Sequence, residues 1–231
     1  MEQSSFGRLL SVLVSPTKTF QALAARPTWV AAMVVLVLIG TVSGFVAMQK
    51  VDFEQAIRTQ MEERGNMSAE QIDTAVAMAD KFKNVGLFFG VGFSIGSMFL
   101  IALIFWVAFK MLGSESNYMT ALATSLHAMM PNAVSGLLTI PVVLGKSEVS
   151  LEAVQQQTLL ASSLAVLAPE GASKFMVALL GSVDAFSIWS LVLLALGFGV
   201  TAKASKGTSW GVVIALWAVW ILIKLGLTAL R

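Results

Sequence analysis

One stretch constrains the fold more than any other. From Ser116 to Gly145 the chain carries no Asp, Glu, Lys or Arg. At 1.5 Å per helical residue those thirty residues reach about 45 Å, more than the roughly 30 Å of hydrocarbon in a bilayer. Yet the stretch is not a plain anchor. It holds the only histidine, His127, and two prolines, Pro131 and Pro141, with Asn132 directly after the first. Proline removes a backbone hydrogen bond, so Pro131 is expected to kink the helix, with Asn132 or a small-residue helix satisfying the freed carbonyl.

The rest of the chain repeats the pattern. Charged residues are 12% of the total, hydrophobic residues 57%, and mean hydropathy is +0.81. A soluble domain carries roughly 25% charged residues. The chain therefore reads as all-α, a polytopic transmembrane helical bundle. Five spans are expected, at about 29–48, 85–109, 118–144, 185–200 and 209–227, with a six-span arrangement as the alternative. The first window, Pro27 to Gln49, is 23 uncharged residues. Trp29 suits its interfacial end, and Lys224 near the end of the last span suits a snorkelling role. No cleavable signal is expected ahead of Trp29, because residues 1–28 lack an apolar run of signal-peptide length.

Residues 1–28 read as an amphipathic, interfacial segment. Phe6, Leu9, Leu10 and Leu13 recur at helical spacing, and Ser15-Pro16 reads as a cap followed by proline at the first helical position. The second short helix gathers Phe20, Leu23 and Ala24, and Arg8, Lys18 and Arg26 are expected near headgroups. Two external helical segments follow from the charge distribution, at 50–84 and 146–183. The first reads as a hairpin. Phe53, Ile57 and Met61 form one row, Gly65 stops that helix, and Ser68 with Gln71 forms a capping box for a second helix running into span 2 through Ile72, Val76 and Phe82. Asn66-Met67-Ser68 matches a glycosylation sequon, relevant only in a eukaryotic lumen. In the second segment, Leu151 to Leu167 is apolar but broken by Gln155-Gln156-Gln157 and Ser162-Ser163. A helix at the interface ending at Pro169 is expected, then a short amphipathic helix from Lys174 to Leu180.

Span 2 holds Gly86, Gly90, Gly92 and Gly96, two G-x-x-x-G pairs. In lipid, small residues at that spacing let helix backbones approach, so they are assigned to helix packing. Asp184 reads as the N-cap of span 4. With the N-terminus inside, the short cytoplasmic segments hold Arg8, Lys18, Arg26, Lys110, Lys203 and Lys206 against Glu2 and Glu115. The positive-inside rule therefore places the N-terminus in the cytoplasm.

Several functions are excluded or carry little weight. A net charge of +2 gives no case for nucleic-acid binding. The absence of cysteine removes disulfides and thiol chemistry, and one histidine with the acidic residues in external loops offers no metal cluster. Gly92-Phe93-Ser94-Ile95-Gly96 matches a hydrolase motif but lies inside a span instead of between a strand and a helix. An intramembrane Ser94–His127 pair is the one form it could take, and glycine packing explains the residues more simply. Gly197-Phe198-Gly199 has no strand before it and is no nucleotide fingerprint. No enzyme activity, cofactor or metal is expected.

Two sets of residues resemble a known family. Ser15-Pro16-Thr17-Lys18-Thr19-Phe20 with Arg26-Pro27-Thr28-Trp29 is similar to the start of bacterial Yip1-domain proteins. Asp184-Ala185-Phe186-Ser187-Ile188-Trp189-Ser190, Lys203-Ala204-Ser205-Lys206 and the stretch from Leu126-His127 to Pro131 resemble it too. The resemblance covers about residues 10–228. It implies a five-span bacterial membrane protein of undefined function. Eukaryotic members are linked to vesicle traffic, small-GTPase binding and membrane shaping, but this chain has neither their long cytosolic domain nor a matching GTPase-binding motif.

The expectation is a non-enzymatic, membrane-organising or partner-binding scaffold. Its partners are the lipid bilayer and other membrane proteins or further copies of itself. The alternative is a transporter or channel subunit with a polar path around His127, Pro131 and Asn132. The candidate residues are His127, Pro131, Asn132 and Asp184.

Overall fold

The computed structural model describes residues 4–63, 68–169 and 171–229, so Gly65 and the first two residues of the sequon lie outside the described residues. Among those described, the chain is helical and contains no strand beyond an isolated antiparallel bridge between Ser163 and Asp184.

The chain opens with a helical hairpin, α1 (Ser5–Val14) and α2 (Pro16–Ala25). The Ser4 side chain caps α1, and Pro16 starts α2. The Ser11 and Thr19 hydroxyls, 2.8 Å apart, tie the two helices together. This hairpin packs into the bundle. Leu9, Val12, Phe20 and Leu23 are buried, and so is Arg8, at 6% exposure. The four apolar residues read as one face are divided. Leu9 turns inward with Arg8, and Phe6, Leu10 and Val14 form an outward row. Arg8 therefore does not sit at a headgroup.

Next come α3 (Val30–Met48), α4 (Phe53–Glu63) and α5 (Ala69–Met111). The Ser68–Gln71 capping box is formed in both directions. Because nothing in the sequence interrupts α5 after its cap, the external helix and span 2 are one rod of 43 residues, about 65 Å long. Arg58 of α4 donates to Asp73 of α5 at 2.8 Å and to Glu54 at 3.0 Å. Those hydrogen bonds, to Asp73 first, raise its pKa above the usual arginine value.

The central stretch is two helices, α6 (Tyr118–Ala128) and α7 (Met130–Leu144). Span 3 is broken at Met129, just before Pro131. The Asn117 side chain caps α6, and Gly113 makes the preceding turn at φ +86°. Among the described residues, four pieces are long and apolar enough to cross a membrane: α3, the Phe88–Met111 part of α5, α6 with α7, and α11 (Lys206–Ala229). Two shorter apolar helices accompany them, α1 and α10 (Ala185–Thr201), the second of which at 17 residues spans about 25 Å.

In the second external segment the helix expected to end at Pro169 is broken, while the short helix expected from Lys174 is present. The segment contains α8 (Leu151–Gln155), a 3-10 turn (Leu164–Leu167) and α9 (Lys174–Gly181). Gln157 takes a left-handed conformation at φ +58°, which ends the first helix. The serines then bind elsewhere, Ser162 to Asp184 and Ser163 to the Ala165 N–H. Short polar side chains that bind nearby groups compete with helix continuation.

The core centres on α10. It packs against α2, α6, α7 and α11, while α3 lies along α7 and α5 along α6. Phe105 and Phe109 of α5 stack on Phe198 of α10, with ring centroids 5.1 and 4.6 Å apart. Trp106 donates to the Ser116 carbonyl and Tyr118 to the Phe99 carbonyl, fastening the α5–α6 hairpin.

Candidate functional site

The buried interior of this bundle is unusually polar. Arg8, Thr19, Thr120, Thr124, Ser125, His127, Ser190, Thr201 and Ser209 are all buried. In lipid such groups gain by turning toward one another, because hydrocarbon offers them no partner. Thr124 donates to the Thr201 hydroxyl at 3.0 Å, linking α6 to α10.

His127 lies on the last turn of α6 at 1% exposure. Its Nδ1 is 2.8 Å from the Ala123 carbonyl. A carbonyl can only accept, so Nδ1 carries the proton and Nε2 presents a lone pair. That Nε2 is buried without a hydrogen-bond partner, as is the hydroxyl of Ser125. Arg8 Nη1 donates to the Arg26 carbonyl at 3.0 Å and to Thr28 Oγ1 at 3.1 Å. Arg8 Nε–H and His127 Nε2 are a buried donor and a buried acceptor, each without a hydrogen-bond partner. Among the described residues, Arg8 has no carboxylate partner.

The candidate residues are not gathered into one path. Pro131 is buried in the first turn of α7. Across the break, the Met129 N–H reaches back to Ser125 and Leu126, and the Asn132 N–H to Met129. The backbone therefore tightens locally at the proline. The Asn132 side chain is exposed, with its Oδ1 3.5 Å from Ser190 Oγ, the long limit of a hydrogen bond. His127 is buried at 1% exposure, whereas Asn132 is exposed, and no hydrogen bond joins them.

Asp184 sits at the other end of the bundle. Its carboxylate caps α10 through the N–H groups of Phe186 and Ser187, at 2.9 and 3.0 Å, and accepts the Ser162 hydroxyl. Lys224 donates to the Ser182 hydroxyl at 3.3 Å, so its ammonium is held against α9 instead of reaching freely for headgroups.

The span 2 glycines occupy open positions. A Cβ added at Gly86, Gly90, Gly92 or Gly96 would meet nothing within 4 Å, so these residues make no tight helix contact inside the chain. The close approaches occur elsewhere. A Cβ at Gly136 would lie 2.9 Å from Ile39 Cγ2, and one at Gly197 would lie 2.8 Å from Thr124 Cγ2 and 2.9 Å from the Phe20 ring. Their sequence signal was faint, since neither belongs to a G-x-x-x-G pair. Ser94 forms no pair with His127, whose free nitrogen is unpartnered. Among the described residues no group of three or more His, Cys, Asp and Glu side chains is placed to hold a metal.

The Yip1 domain family model matches residues 10–228. Membrane protein YknW of Bacillus subtilis (strain 168) is 28% identical over 218 residues, covering 94% of this chain and 88% of that protein. No solved structure matches the chain significantly.

Proposed function

Because this chain belongs to the Yip1 domain family, we propose that it is a non-enzymatic scaffold that binds another membrane protein within the bilayer. One observation carries the reading. The α5 rod meets the bundle through Ala102, Phe105 and Phe109, whereas its glycine positions 86, 90, 92 and 96 have no neighbour. Phe88, Phe89 and Phe93 alongside them are about three-quarters exposed or more. Glycine spacing favours close helix contact in lipid, and here that contact must come from outside the chain. The host is a bacterial inner membrane, with the N-terminus cytoplasmic by the charge bias of the short loops.

The same geometry counts against a conducting path as the main role. His127 is sealed, and Asn132 shares no hydrogen bond with it. A photo-crosslinker at Phe89 or Phe93 is expected to capture a membrane protein in cells, while one at Leu222 captures lipid. Lipid adducts alone at all three positions, together with protein-dependent solute flux in proteoliposomes, would overturn the scaffold in favour of a transporter.

A further inference from the structure

The far-side segment ends at a depth that its external assignment does not explain. On α11, Lys224 lies eighteen residues beyond Lys206, about 27 Å along the helix. The hydrocarbon slab is roughly 30 Å thick. With Lys206 at the near boundary, Lys224 falls inside the far one. Lys224 binds Ser182, the C-cap of α9. The end of α9 therefore lies at lipid depth. The length of α10 leads to the same level independently. At about 25 Å it stops short of the far boundary, and Asp184 at its end is bridged to Ser163 beside the 3-10 turn.

What this segment presents outward is apolar. Leu164, Val166 and Leu167 of the 3-10 turn are exposed, as are Phe175, Met176 and Leu179 of α9, with Leu167 at 72%. The charges of this segment, Glu170 and Lys174, fall between the turn and the body of α9, and none occurs from Ala153 to Pro169 or from Phe175 to Val183. α9 packs directly on α11, whose Trp220, Leu222, Ile223 and Leu227 form part of the lipid-facing surface. The two apolar surfaces are continuous.

We propose that the 3-10 turn and α9 form a half-inserted collar whose apolar side chains are immersed in the acyl chains of the far leaflet, completing the span that α10 leaves short. The occupant of this face is lipid. Such immersion reaches about 5–10 Å below the headgroups, as in interfacial helices. The irregular backbone is tied where it is deepest. The Leu164 N–H reaches Val183, and the Ala185 N–H reaches Ser162.

The chain contains no cysteine, so single spin labels report without background. Labels at Leu167→Cys and Phe175→Cys in proteoliposomes of the full chain are compared with Val219→Cys on α11 and Glu152→Cys on α8. Collisions with oxygen report lipid, and collisions with a water-soluble nickel chelate report water. The expected result is an oxygen-to-nickel ratio at Leu167 and Phe175 shifted to that of Val219. A ratio matching Glu152 overturns the collar, whether the face is bare or awaits a protein partner. Nickel access at Val219 as well would instead overturn the span itself. If a labelled variant is not recovered monodisperse, Val166→Cys gives the same reading.

Discussion

Gly197→Val should expel the N-terminal hairpin from the bundle. The Cβ alone would approach Thr124 Cγ2 to 2.8 Å and the Phe20 ring to 2.9 Å. Comfortable carbon contacts are about 3.5–4.0 Å, so three atoms are each too close by more than half an ångström. Thr124 cannot swing away cheaply, because its hydroxyl is bonded to Thr120 and Thr201. Phe20 is fully buried and has no free side to move into. Overpacking of this kind costs about 1–3 kcal/mol, and valine adds two methyls beyond the Cβ. The easiest relief is for α2 to leave. At about 2 kcal/mol the docked-to-undocked ratio falls by roughly 30-fold. Leu23→Cys measures it, because Leu23 is fully buried and reacts with a maleimide only when α2 lifts. In that background Gly197→Val should raise the labelling rate by about 30-fold, and Gly90→Val, at an open glycine, should leave it unchanged. An unchanged rate with an unchanged melting temperature in Gly197→Val would refute the packing argument.

Gly136→Val should lower the melting temperature in detergent, by about 1–3 kcal/mol of overpacking against Ile39 and Ser43, while Gly44→Val, at an open position, leaves it in place. Asp184→Ala removes the acceptor for two N–H groups and the Ser162 hydroxyl, a loss of about 1–2 kcal/mol seen in the same assay; Asp184→Asn should keep most of it. His127→Ala leaves a ring-sized void in a sealed site and should cost on the order of 2–4 kcal/mol. His127→Phe restores the volume and most of the melting temperature. A drop confined to function, with stability intact, would mark the imidazole as a relay instead of a packing group.

The first three spans were legible because a charge-free window of twenty or more residues has few other fates. The break at Pro131 and the cap at Ser68 were legible because each rests on local chemistry with a fixed offset. The α10 boundary at Asp184 was readable for the same reason. The glycine motif was not enough. Spacing tells that a helix can be approached closely, but not whether its own chain does the approaching. In lipid a neighbouring helix and an acyl chain are equally apolar, so hydropathy cannot tell them apart. Residues 151–168 failed differently. The interruptions at Gln157, Ser162 and Ser163 are visible in the sequence, but the turn and the cross-link to Asp184 that they make are not, because local periodicity does not reveal distant partners.

The N-terminal hairpin points to the rule that would have served better. In water, Arg8 on an apolar helix belongs outside. Here it is inside, with Ser11 and Thr19 on the seam between the two helices and Phe6, Leu10 and Val14 turned away. When the surrounding solvent is hydrocarbon, the side chains that need partners are polar, and the inward face of a helix is the one that carries them. Applied to α10, the same rule selects Ser190, Gly197 and Thr201, three positions that face other helices in the structure. Applied to α5 it selects little beyond Ser94 and Ser97 in the membrane half, where the bundle supplies no partner and only glycine remains to be met from outside.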